Sequence, residues 1–228
     1  MPNKLAVIIG ASRGLGLAIV QELLERGWKV IGTARQEAGP LQALAARFPD
    51  RLEIEHVDIV QPDEVSALKS RLSGRNLDLL FVNAGVANAR HETVGEVSTE
   101  DFVRVMTTNA LSPLRVVEQL DGNVRAGGTI GIMSSGLGSV ADNERGGFEV
   151  YRASKAALNT LMRSYASRKG QEHTLLLLAP GWIKTDMGGG DATFTIEETI
   201  RDIVDTITSQ EGKIGLQYLD RFGKVVRW

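Results

Sequence analysis

Short apolar runs alternate along the chain with longer amphipathic stretches. Residues 5–9, 30–34, 52–57, 77–82, 129–133 and 175–178 read as strands, most of them apolar at consecutive positions. A strand with one wet face alternates apolar and polar residues, so consecutive apolar positions imply cover on both faces. Residues 15–26, 41–48, 64–72, 99–120, 151–168 and 196–209 read as helices. A last short strand is predicted at 217–219. The repeated alternation predicts one α/β domain over residues 1–228, a Rossmann-type, doubly wound, mostly parallel sheet flanked by helices. Two loose segments, 141–148 and 188–194, are rich in Gly, Asp or Asn and follow predicted strands. In such sheets ligands bind outside the carboxyl ends of the strands, so both segments are expected to border a site.

The bulk numbers narrow the function classes. A chain of 228 residues suffices for one domain with a large core. The formal charge is -2, with both signs mixed along the chain, so no nucleic-acid or membrane surface is expected. There is no cysteine, which removes disulfides, thiolate nucleophiles and cysteine-bound metals. His56, His91 and His173 are scattered without metal-ligand spacing. The amino-terminal residues lack a signal-peptide pattern, and no apolar run approaches the ~20 residues of a membrane span. A cytoplasmic protein is the expectation.

The first predicted strand runs into Gly10-Ala11-Ser12-Arg13-Gly14-Leu15-Gly16, and a helix follows. Glycines permit a tight turn and close approach to a pyrophosphate, and the helix start offers free N–H groups and the positive end of its dipole. The spacing is Gly-x-x-x-Gly-x-Gly rather than Gly-x-Gly-x-x-Gly. The second strand ends Gly32-Thr33-Ala34-Arg35, without the carboxylate that would accept bonds from the ribose 2′-hydroxyl of NAD. Arg35 and Arg13 instead suit a 2′-phosphate. The cofactor expected is therefore NADP(H) in preference to NAD(H).

Tyr151 and Lys155 stand one helical turn apart in Tyr151-Arg152-Ala153-Ser154-Lys155, on one helix face. A free tyrosine titrates near ~10, and an adjacent lysine cation lowers that value. The pair suits proton exchange with carbonyls and alcohols.

With these motifs in place, the chain resembles the classical short-chain dehydrogenases/reductases over nearly its full length. Besides the glycine turn, Asp58 matches the adenine-contacting position and Asn83-Ala84-Gly85 the element after the fourth strand. Asn109 matches the structural and catalytic asparagine. Ser134-Ser135 matches the serine position, with Ser135 taken as catalytic. Pro180-Gly181 and Thr185 match the stretch beside the nicotinamide. The carboxyl-terminal residues 220–228 resemble the small subgroup of carbonyl reductases and C-factor-like signalling proteins.

The resemblance implies hydride transfer between a nicotinamide and a small-molecule carbonyl or alcohol substrate. It implies catalytic roles for Asn109, Ser135, Tyr151 and Lys155. Tyr151 would exchange the proton, Lys155 would lower its pKa and hold the ribose, Ser135 would bond the substrate oxygen, and Asn109 would hold a water linking Lys155 to solvent. The implied cofactor set is Gly10, Ser12, Arg13, Gly14, Leu15, Gly16, Arg35, Asp58, Ile59, Asn83, Ala84, Gly85, Tyr151, Lys155, Pro180, Gly181, Ile183 and Thr185. A short substrate lid is expected around 186–196, with Trp182, Met187 and Phe194 near it and Trp182 open between substrate contact and packing. The family also implies a homodimer or homotetramer built on the long helices. Ile9 departs from the threonine usual before the first glycine, and the interval from Ser135 to Tyr151 is longer than usual. A dinucleotide-binding sensor without turnover stands as the competing function, and an isomerase, dehydratase or epimerase as a third.

Overall fold

A computed structural model describes residues 4–169 and 171–228. Seven strands form one sheet in the order β3-β2-β1-β4-β5-β6-β7, every neighbouring pair parallel. They are β1 (Leu5–Ile9), β2 (Lys29–Ala34), β3 (Leu52–His56), β4 (Leu77–Val82), β5 (Val124–Met133), β6 (Thr174–Ala179) and β7 (Gly215–Asp220). The helices are α1 (Gly14–Glu25), α2 (Gly39–Arg47), α3 (Pro62–Arg71), α4 (Thr99–Met106), α5 (Ser112–Leu120), α6 (Glu149–Lys169) and α7 (Ile196–Ser209).

The apolar runs are explained by two cores, one on each face of the sheet. Along β1, Val7 and Ile9 enter the core shared with α3, α5 and α6, while Ala6 and Ile8 enter the core shared with α1, α2 and α7. Successive side chains of a strand point to opposite faces, so both sets must be apolar. The chain reverses its order of strand addition between β1 and β4. The turns leaving these two strands therefore open a crevice at the topological switch point.

Two elements differ from the sequence reading. The helix expected over 99–120 is broken by a π turn at Thr107–Leu111 between α4 and α5. Pro113 has no N–H to return to the carbonyl of Asn109, so the α-helical ladder cannot pass through this point unaltered. Strand β5 begins at Val124 rather than Thr129, because its first residues pair Leu77 with Val124 and then shift register before Leu79 meets Thr129. Gly127, with φ 75°, absorbs that irregularity.

Candidate active site

The turn after β1 is built around two close backbone approaches. Gly10 has φ 85°, and a Cβ there would stand 2.8 Å from the backbone of Ala84. A Cβ on Gly16 would stand 2.0 Å from the carbonyl oxygen of Gly10. No side chain fits either position. Asn83 Nδ2 donates to that same Gly10 carbonyl at 3.0 Å, and the amides of Asn83 and Ala84 both donate to Ile9. Asn83 and Ala84 thus brace the turn from behind. Arg13 caps α1 without a side-chain bond, and the first turn of α1 holds no acidic residue. The free N–H groups and positive dipole end there fit a phosphate. Thr185 flanks the turn, its methyl 3.6 Å from where a Gly14 Cβ would be.

Arg35 leaves the end of β2 exposed, and Asp58 follows the neighbouring β3. Asp58 Oδ1 accepts from Val60 N at 3.1 Å, and the Asp58 amide donates to Glu64, so this carboxylate is aimed by its own turn. Ile59 is buried behind it. Arg13, expected at a 2′-phosphate, pairs here with Asp186 of the lid at 3.1 Å. Both side chains are largely exposed (72% and 75%), so the pair contributes at most about 1 kcal/mol and yields readily to a more highly charged phosphate.

Helix α6 brings the chemical groups together. Lys155 is 4% exposed, and its Nζ donates to the carbonyl of Met133 at 2.8 Å. The same ammonium lies 5.8 Å from the centre of the Tyr151 ring. Burial pushes Lys155 down to about 8. Burial pushes Tyr151 up to about 12; the facing Ser135 hydroxyl opposes that rise, and the nearby Tyr218 phenol adds to it. The ammonium is engaged by Met133 and lies over the ring, so desolvation outweighs its attraction for a phenolate and both groups are held towards their neutral forms.

The two serines after β5 part company. Ser134 turns inward, and its hydroxyl donates to Asn159 Oδ1 at 2.7 Å. Ser135 faces Tyr151, with its Oγ accepting from Leu137 N at 3.1 Å. Asn109, fully buried in the π turn, accepts from Val86 N and donates to Val86 O, both at 2.8 Å, and donates to Ser154 Oγ at 3.0 Å. Its side chain thus binds the loop after β4 to α6, which leaves its backbone carbonyl as the group that could meet a water. Gly85 lies between, a Cβ there falling 3.3 Å from Asn109 Oδ1 and 3.7 Å from Lys155 Nζ.

Pro180 and Gly181 leave β6, and the lid closes on itself at its base. Lys184 N donates to Phe194 O at 2.8 Å, Phe194 N donates to Trp182 O at 3.1 Å, and Ile183 bridges Phe194. Thr185 Oγ1 accepts from Gly188 N at 2.9 Å. Trp182 Nε1 donates to Gly188 O at 2.9 Å, and Arg90, from the loop after β4, donates to the same oxygen while lying 5.3 Å over the indole. Trp182 and Met187 remain exposed, whereas Phe194 is stacked under Arg221 at 4.0 Å and belongs to the packing. The chain enters α6 through Gly146, Gly147 and Phe148, all at positive φ (63°, 70° and 53°). Arg90, Phe148 and Tyr218 were not singled out as site residues in the sequence. No local motif marks them, and only their contacts across loops reveal them. Among the described residues no cluster could hold a metal ion.

The family model for the short chain dehydrogenases matches residues 4–194. A Burkholderia multivorans protein described as a short-chain dehydrogenase/reductase with bound NADP is 55% identical, superposes with a TM-score of 0.97 and is matched over 100% of both chains. A carbonyl reductase from Pseudomonas aeruginosa in complex with NADP is 36% identical with a TM-score of 0.91, over 99% of both chains. The C-signal protein of Myxococcus xanthus is 37% identical over 67% of this chain and 93% of its own. From the match across both the glycine turn and the Tyr151–Lys155 helix, the chain belongs to the short-chain dehydrogenase family of oxidoreductases.

Proposed function

We propose that this protein is an NADP(H)-preferring carbonyl reductase that uses Tyr151 as its proton donor and Ser135 and Lys155 beside it. The observation that carries the reading is the meeting of Tyr151, Lys155 and Ser135 above the crevice between β1 and β4. Gly10 and Gly16, which admit no side chain, and the uncapped start of α1 suit the pyrophosphate. Arg35, with Arg13 released from Asp186, suits a 2′-phosphate; Asp58 and Ile59 suit the adenine, and Pro180 to Thr185 the nicotinamide end. NADP(H), when bound, supplies or accepts the hydride.

The protein's own groups do the rest. Ser135 Oγ donates a hydrogen bond to the substrate oxygen, where negative charge develops. Tyr151, held neutral by burial, gives its proton to that oxygen in reduction. Lys155 holds the ribose and limits the phenol to one orientation. Asn109 keeps the loop carrying Gly85 against Lys155, and the carbonyl of Asn109 that Pro113 leaves without its helical donor is the acceptor for a solvent path. Trp182, Met187 and Arg90 line the mouth.

The test is NADPH and NADH oxidation over a panel of aldehydes, ketones and quinones, by wild type and Tyr151→Phe. A general acid contributes 10²–10⁴-fold, so the substitution should lower turnover by about three orders of magnitude and leave NADPH binding intact. A variant as active as wild type would sink the assignment of Tyr151. The likeness to C-signal keeps a sensor in view, but a protein that only binds a dinucleotide has no use for this complete set.

A further inference from the structure

Tyr218 is buried on β7 at the far side of the Ser135 loop, and its hydroxyl donates to the carbonyl oxygen of Ser135. Gly138 N donates to the same oxygen at 2.9 Å. Ser135 is thus fixed at both ends, its carbonyl by Tyr218 and Gly138 and its hydroxyl by Leu137 N. Tyr218 is itself held. After β7 the chain turns back, with Val226 N donating to Tyr218 O at 2.9 Å, and the Trp228 ring lies 5.3 Å from the Tyr218 ring. Arg163 of α6 covers Trp228 at 4.6 Å. Trp228 O accepts from Ala141 N at 3.0 Å, and Arg227 pairs with Asp142. Residues 224–228 therefore tie β7, α6 and the loop after Ser135 into one block.

We propose that Tyr218, backed by Trp228, is a positioning residue that sets the Ser135 carbonyl and thereby the direction of the Ser135 hydroxyl towards the substrate oxygen. A donor to a developing oxyanion acts only when it is already in place, and small displacements cost large factors in rate. The phenol reaches no substrate atom in this arrangement, because its hydrogen is committed to a backbone carbonyl. The inference rests on the carbonyl-reductase reading for its kinetic arm alone.

The experiment compares wild type with Tyr218→Phe, which keeps the ring against Trp228 and removes only the donor. With Ser135 loosened, kcat should fall about tenfold while KM and NADPH affinity stay within about twofold. Peptides spanning 134–143 should exchange their amide hydrogens several-fold faster, with those of β1 unchanged. Trp228→Ala should reproduce both effects, and Trp228→Phe, which retains a ring under Arg163, should restore most of the rate. An unchanged kcat with unchanged exchange would overturn the proposal. So would a parallel fall of kcat, NADPH affinity and melting temperature, since that marks a general loss of structure. If wild type reduces no carbonyl, the reductase reading fails, and the exchange measurement still decides the positioning.

Discussion

Lys155 shows how one residue can serve the site at the expense of the fold. Its folded-state pKa lies near 8, below the ordinary lysine value, because burial disfavours the cation. The sign follows directly. Above about pH 10.5 the amine is neutral in both folded and unfolded chains and costs nothing. As pH falls from there to 8 the unfolded chain takes up a proton that the folded chain refuses, so stability is lost across that window and levels off below it. A Lys155→Met variant escapes this loss. The difference in melting temperature, variant minus wild type, should therefore grow as pH falls from about 10.5 to 8 and stay flat below. A difference independent of pH would show that Lys155 is not titrating as its burial requires. Arg35 is the second residue whose charge decides something. Arg35→Asp removes a charge-assisted bond of roughly 1.5–3 kcal/mol and places a carboxylate where an NAD site has one. The ratio of NADPH to NADH in kcat/KM should fall at least tenfold, and an unchanged ratio would remove Arg35 from the cofactor site.

At the scale of elements, the break between α4 and α5 is the feature with a direct functional consequence. Pro113 removes one backbone donor, the helix relaxes into a π turn, and Asn109 lands where its amide grips Val86 and Ser154. Pro113→Ala returns the donor and lets an ordinary α-helix compete with the π turn. The expected outcome is a melting temperature equal to or above wild type, because an interior helical alanine is favourable, together with about tenfold lower kcat. A variant with lower stability and full activity would place the value of Pro113 in the fold alone. This break was visible in the sequence as a proline inside an amphipathic stretch, but the helical periodicity on both sides carried the reading straight through it. The six main strands and the glycine turn were legible because their signals are local: apolar runs, and glycines directly after one of them. Tyr151 and Lys155 were legible because one helical turn fixes their relation. The grip of Asn109 on Val86, the pairing of Arg13 with Asp186 and the bond from Tyr218 to Ser135 join residues 23, 173 and 83 positions apart, so no local spacing announces them. The upward push of burial on Tyr151 was hidden for a different reason. Proximity on a helix face predicts an attraction, while the opposing cost of burial depends on everything packed around the pair.

For the whole molecule, the sheet is the rigid body, and the site exists because the loops from β1, β4, β5 and β6 all leave at the same edge. The helices beside that site also carry the largest question of assembly. Phe102 and Val103 on α4, Leu111 in the π turn and Leu161 on α6 are all exposed, although α6 packs directly against α4 and the π turn. Large apolar side chains exposed on neighbouring elements are the usual mark of an interaction face. Self-association through this face would bury it and would brace, from outside, the two helices that carry Asn109, Tyr151 and Lys155. Wild type should therefore sediment as a dimer or tetramer at micromolar concentration. Val103→Lys combined with Leu161→Lys should lower the mass towards a monomer. Surface substitutions of this kind change stability by about 0.5 kcal/mol or less in a protein that does not associate, so a lower mass with native circular dichroism cannot be put down to unfolding. If the bracing matters, the charged variant also loses activity on dilution while wild type does not. A wild type that sediments as a monomer would leave the patch without an internal use and send the search to a different partner for the same two helices.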